Sequence, residues 1–143
     1  MTGGRMARAA AAMLLATGML IATTAHADAP QTSVLATIEP GQWQLSDTDS
    51  NATRSLCVRD PRVLLQLGHV DTAQCSRFVV SQSPRELTIH YTCPGAGHGR
   101  TTIGLVTPRS IKLETQGVAG GLPFQTNYAG RRTGACSRWS DAR

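Results

Sequence analysis

The sequence predicts a small, mainly β domain: one curved antiparallel meander of about six or seven strands, one short helix and two disulfides. Three observations lead there. Short stretches of period-two alternation are separated by proline and glycine turn signals. The connections between them are too short for parallel crossovers, which need a dozen or more residues. The four cysteines, Cys57, Cys75, Cys93 and Cys136, all lie downstream of a leader-like segment, an even count that fits a disulfide framework in an oxidising compartment.

The chain has 143 residues and a net charge of +5, which bounds a single domain. Arg5 and Arg8 precede an uncharged stretch from Ala9 to Thr24 that runs into Ala25-His26-Ala27. A basic start, an apolar run and a small-x-small site are the anatomy of a secretory signal peptide over residues 1–27. Cleavage after Ala27 leaves Asp28–Arg143, and because both lost charges are arginines the net charge falls to +3. The run from Ala9 to Ala22 falls short of the roughly 20 apolar residues of a spanning helix. No cysteine stands just after the cleavage point to carry a lipid. The expected product is periplasmic, with no transmembrane anchor.

Residues 28–37 have no firm periodicity and read as a flexible lead-in, with the stapled domain over 38–136 and a tail over 137–143. Pro40-Gly41 is a turn signal, and Gln42–Leu45 alternates as a half-buried strand. After a polar loop, Arg54–Val58 forms a second strand, with Leu56 and Val58 on one side and Cys57 on the other. Asp60-Pro61 supplies an N-cap and a proline at the first helical position. Val63, Leu64 and Leu67 then make one apolar stripe, and Gly68 ends a helix of about two turns. Arg77–Gln82 turns at Ser83-Pro84 into Glu86–Cys93, whose Leu87, Ile89, Tyr91 and Cys93 share one face. Pro94–Gly99 reads as a flexible glycine loop. Beyond it come Thr101–Thr107, a turn at Pro108-Arg109-Ser110, and a strand with Ile111, Leu113 and Thr115 in phase. Gly117–Pro123 is a weak turn region before Phe124–Tyr128.

Parity gives a disulfide pairing. Extending the alternation of Leu122, Phe124, Thr126 and Tyr128 reaches Cys136, so Cys93 and Cys136 both fall on apolar faces if no bulge intervenes. The expected bridges are therefore Cys93–Cys136 and, closing a loop around the helix, Cys57–Cys75. Of the adjacent Arg131 and Arg132, strand geometry turns one inward, where it needs a partner.

The order of these segments resembles a known family. It runs Pro40-Gly41-Gln42-Trp43, Leu56-Cys57-Val58 before a short helix, Gln74-Cys75, Tyr91-Thr92-Cys93, and Gly130-Arg131-Arg132-Thr133-Gly134-Ala135-Cys136. Over Ile38–Cys136 it is similar to a small exported bacterial family, domain of unknown function 3617. The resemblance implies export in Gram-negative bacteria, a β-rich fold and no assigned activity. Family members often carry methionine-rich segments after the first strand and in the later hairpins. The corresponding segments here, Ser46–Thr53 and Gly117–Phe124, hold no methionine.

The residues offer no catalytic constellation, no cofactor motif and no metal set, so the expectation is a non-catalytic protein with cofactors none and metal none. Pro94–Thr102 lacks the glycine, lysine and succeeding helix of a phosphate-binding loop and reads as a hairpin turn. His90 lies on the polar parity of its strand and His98 eight residues on, with no third ligand spaced with them, so they read as solvated histidines. No G-x-S-x-G elbow is present, and disulfide-bonded cysteines are not nucleophiles. Glu86 and Glu114 sit on polar parities, short of a facing carboxylate pair. The scattered arginines and mild charge point away from nucleic acid. A binding or envelope-associated module is the leading expectation. Its alternative is a lipid or apolar small molecule held against Trp43, Leu87, Ile103 and Phe124, and a small hydrolase or metal-binding protein is less favoured.

Overall fold

A computed structural model describes residues 33–69 and 74–137. The expected leader, the first residues of the lead-in and all but the first residue of the tail lie outside them. Seven strands form one antiparallel, unclosed sheet: β1 (Gly41–Asp47), β2 (Thr53–Val58), β3 (Ser76–Gln82), β4 (Glu86–Cys93), β5 (Gly97–Thr107), β6 (Ser110–Ala119) and β7 (Leu122–Gly134). Their order is β2-β1-β7-β6-β5-β4-β3. The meander expected from the turn signals holds from β3 to β7, and the β1–β2 hairpin docks beside the last strand. A 3-10 helix, Pro61–His69, carries the chain from one sheet edge to the other. It occupies the predicted helix position but is interrupted at Gln66, whose φ of −134° and ψ of 44° are not helical.

Alternation decides what is buried. Gly41, Trp43 and Leu45 of β1, Leu87, Ile89, Tyr91 and Cys93 of β4, Ile103 of β5, and Ile111 and Leu113 of β6 face inward and are buried. Leu64, Leu65 and Leu67 of the crossover helix complete the same core. Burying a side chain of this kind contributes roughly 1.5–3 kcal/mol, so the helix is held by its leucines rather than by its nine-residue length.

The expected turn region Gly117–Pro123 narrows to Gly120-Gly121, because β6 runs on to Ala119 and β7 already begins at Leu122, and three further features depart from expectation. Within the lead-in, Val34–Thr37 form a helical turn, α1, in which Ser33 Oγ accepts the Leu35 N–H at 3.3 Å and Val34 is fully buried. The glycine loop shrinks to a turn at Pro94–Ala96, because Gly97–Gly99 already pair with β4. The third departure is the disulfide pairing. The bridges are Cys57–Cys136 and Cys75–Cys93, so neither Cys57–Cys75 nor Cys93–Cys136 forms.

The reason is a bulge and a strand order. Arg132 opposes Trp43, but Gly134 opposes Gln42, leaving Thr133 unpaired. A residue inserted in this way flips the parity of every residue after it. Cys136 thus passes from the inner face to the outer one, where Cys57 already lies as the partner of Gln42. Cys93 does remain on the inner face, yet β5 and β6 separate β4 from β7. Its neighbour is Cys75, one residue before the Ser76–Thr92 pair.

The first and last strands meet at one clasp. Arg132 turns inward, is 19% exposed at its side chain, and its Nε donates to the Pro40 carbonyl at 2.8 Å. Glu39 Oε2 lies 3.8 Å from the same nitrogen and 3.5 Å from Arg109 Nε. Gly41 lies under this guanidinium, where a Cβ would collide with Arg132 and with the Gly134 carbonyl. Trp43 Nε1 donates to the Glu39 carbonyl at 3.0 Å. The inward arginine therefore has the partner that its burial requires.

Non-reducing peptide mapping should recover one peptide joining Cys57 to Cys136 and another joining Cys75 to Cys93. The bridges close loops of 79 and 18 residues, so on loop-closure entropy removing the first costs about 4.5 kcal/mol and removing the second about 3 kcal/mol. Denaturant midpoints of the Cys57→Ser/Cys136→Ser and Cys75→Ser/Cys93→Ser proteins check that order.

Candidate functional site

The outer face of β4–β7 carries an aligned polar row. Register sets His90 against Arg100, Arg100 against Gln116, and Gln116 against Gln125. With strands about 4.8 Å apart, four residues in register form a line roughly 14 Å long. His98 opposes Thr92, which makes it the diagonal neighbour of His90 across the hairpin. The two histidines do approach one another, and β5 rather than a loop presents His98.

These side chains line a depression of about 470 Å³, walled at one end by Val118 and Pro123. A smaller depression of about 150 Å³ adjoins it, sharing Arg100, Gln116 and Gln125 and adding Thr102, Glu114 and Asn127. The Thr88 and Thr102 hydroxyls, 2.9 Å apart, tie β4 to β5 beside the row. Arg100, His90 and His98 are exposed, and none has a hydrogen-bond or ion-pair partner among the described residues. Among the same residues, no three His, Cys, Asp or Glu side chains converge on one point. The row is thus a set of donors around one permanently charged guanidinium, suited to holding a carboxylate or phosphate.

The inner face offers a contrast. Trp43, Leu87 and Ile103, the residues that would line an apolar cavity, are packed with the helix leucines in one core. Phe124 stands edge-on to His69, with ring centroids 5.9 Å apart. His69 is buried, and both ring nitrogens are engaged, Nε2 with the Ala96 carbonyl at 3.1 Å and Nδ1 with the Tyr91 hydroxyl at 3.1 Å. A carbonyl only accepts, so Nε2 carries a proton, and the Tyr91 hydroxyl, which can donate or accept, is the partner of Nδ1. Tyr91 in turn lies over Gly99, its register partner, where any Cβ would strike the phenol. His69 is therefore a structural histidine that fixes the end of the crossover helix to β4.

In the sequence His90, His98 and Arg100 stand out one at a time, while Gln116 and Gln125 do not stand out at all. The signal that unites them is shared polar parity on consecutive strands, which becomes a row only when the register is known. Glu86 and Glu114 are both exposed on that face, and Glu114 borders the smaller depression.

Tyr91→Phe should leave Nδ1 of His69 without its buried partner, at a cost of about 1–3 kcal/mol, measurable by thermal denaturation. Burial holds the Tyr91 phenol above its ordinary range, outweighing a Thr115 hydroxyl that lowers it. The native state therefore keeps a proton that the unfolded chain loses. That contribution is fully present below about pH 10 and is lost as the pH rises further, so the wild-type midpoint should fall in that window more steeply than that of Tyr91→Phe.

Among the described residues no helix is long and apolar enough to cross a membrane. No curated protein and no solved structure matches the chain. The profile described as "Protein of unknown function (DUF3617)" matches residues 38–136, a span that begins just before the Pro-Gly-x-Trp strand and ends on Cys136. The segments through which the sequence resembles that family are the ones that build the β1–β7 clasp and both disulfides, and the chain belongs to the DUF3617 family.

Proposed function

We propose that this protein is an exported, non-catalytic binding module of the bacterial envelope that holds an anionic group, a carboxylate or a phosphate, on the outer face of β4–β7. The observation that carries this reading is Arg100, an exposed guanidinium without a partner among the described residues, set in a depression with two imidazoles and two carboxamides. Arginine forks onto carboxylate and phosphate oxygens through two parallel hydrogen bonds. Gln116 and Gln125 supply neutral donors beside it, while Val118 and Pro123 give an apolar wall for the body of the ligand. Sites of this kind join an apolar lining to a few convergent polar groups.

The non-catalytic part of the reading rests on how the groups are disposed. Neither histidine is hydrogen-bonded to an acid, among the described residues, that would orient it as a base. Their arrangement serves recognition rather than proton transfer. Export is supported by the leader-like segment at residues 1–27 and by the two disulfides, which persist in oxidising compartments. The outer-face site is favoured over an apolar ligand within the sheet because the crossover helix occupies the inner face.

Titrating the isotope-labelled oxidised protein with inorganic phosphate and with acetate tests the site by NMR. Saturable shifts should appear in the Arg100 Nε–H, the Gln116 and Gln125 carboxamides and the His90 ring. Arg100→Ala should weaken binding by at least about tenfold, since hydrogen bonds to charged groups contribute roughly 1.5–3 kcal/mol, without changing far-UV circular dichroism. Shifts that fail to saturate, or that persist unchanged in Arg100→Ala, would remove the site. Cell fractionation with N-terminal sequencing should find the protein in the periplasm, beginning at Asp28.

A further inference from the structure

β3 ends the sheet, and among the described residues nothing pairs with its free edge. Every residue of Ser76–Gln82 is exposed, with Phe78 at 71%, Val79 at 51% and Val80 at 47%. Phe78 sits opposite His90 on the outer face and Val79 opposite Ile89 on the inner face, so apolar surface appears on both sides of the same strand. An unpaired edge of aromatic and β-branched residues is a template for another strand, and proteins usually blunt it with charge or proline. β3 has no proline, and its single charged side chain, Arg77, is drawn away to the Gln66 carboxamide of the crossover helix.

We propose that β3 is the interface of a symmetric dimer, in which this edge pairs antiparallel with the β3 edge of a second copy, centred on Phe78. Charge favours this register. With Phe78 across from its own equivalent, Arg77 faces Val79 and Ser76 faces Val80, so no charge meets its like. Centring on Arg77 would set two guanidiniums directly opposite each other, which is destabilising. Centring on Val79 would put the bulge at Val80, where β3 falls out of register with β4, one pair from the axis and facing Phe78, whereas centring on Phe78 leaves it at the end of the ladder.

Closure favours a second copy over an open chain of copies. Pairing β3 with β3 uses the same surface twice and stops at two, whereas pairing β3 with β2 would leave both kinds of edge free and run on as a fibre. β2 is also chemically unlike β3, with no aromatic residue and with Cys57 bound to Cys136. A depression of about 440 Å³ beside the edge, lined by Ser76, Arg77, Phe78, His90 and Thr92, is bounded by β3 and β4 alone. A partner strand supplies its missing wall. One added strand buries less than a standard interface, so the dimer is weak.

Sedimentation velocity of the oxidised protein from about 1 μM to about 1 mM, a range that brackets weak association, tests this. The expected result is a concentration-dependent dimer. Phe78→Lys should raise its dissociation constant at least about tenfold while far-UV circular dichroism and both disulfides stay unchanged. Val106→Lys, at an apolar residue of β5 exposed at 46%, close to the 47% of Val80 in β3, should dimerise like wild type. A monomer across the whole range, a dimer that survives Phe78→Lys, or equal loss in Val106→Lys would each overturn the proposal.

Discussion

The contact of Arg132 with Pro40 and Gly41 is the constraint on which the rest of the architecture depends. Strands β3 to β7 could form a meander by local hairpins alone, but the β1–β2 hairpin has no such route to its place. It is seated by the pairing of β1 with β7, where Trp43 opposes Arg132 and the guanidinium lies over a residue without a side chain. The same few residues anchor the β5–β6 turn, since Glu39 N–H donates to the Pro108 carbonyl and Arg132 N–H to that of Arg109, both at 2.9 Å. Once β1 is seated, β2 lies at one edge and β3 at the other, and the helix between them must cross the inner face. The core leucines of that helix are thus delivered by a polar clasp at the far end of the sheet.

Much of this is legible residue by residue. Alternation identifies which side chains of β1, β4, β5 and β6 go inward, because a period of two is a local property of an extended chain. The N-cap and proline of the crossover helix are legible for the same reason. What cannot be read is adjacency. Parity puts Cys93 and Cys136 both on an apolar face, and Cys93 is there, but sharing a face does not make two strands neighbours. The bulge at Thr133 is invisible because nothing in Gly-Arg-Arg-Thr-Gly announces which residue will be skipped. It is set by the fit of Arg132 against Gly41, a contact between residues from opposite ends of the domain.

The same limit governs the candidate site. His90 and His98 can be placed on one hairpin from turn spacing, yet Gln116 and Gln125 join them only through the registers of β5, β6 and β7. Conversely His69, which looks from sequence like any other histidine, has both of its ring nitrogens committed. Its role depends on Tyr91 and Ala96, which arrive from the hairpin beyond it. His69 and Tyr91 on the inner face are thus consumed in holding the helix to the sheet, whereas Arg100, His90 and His98 on the outer face have no partner among the described residues.

The two bridges are nested, with Cys75–Cys93 lying wholly inside the loop closed by Cys57–Cys136. A chain made from its N-terminus presents Cys57 to Cys75 and then to Cys93 well before Cys136 exists. Pairing cysteines in order of appearance would join Cys57 to Cys75 and leave the other two on strands that never touch. The native pattern is reached only if Cys57 waits as a free thiol until the last strand arrives, or if an early wrong bridge is reshuffled by thiolate attack. The Thr133 bulge, which carries Cys136 to the face where Cys57 stands, thereby makes oxidative maturation of this small domain depend on completion of its final few residues.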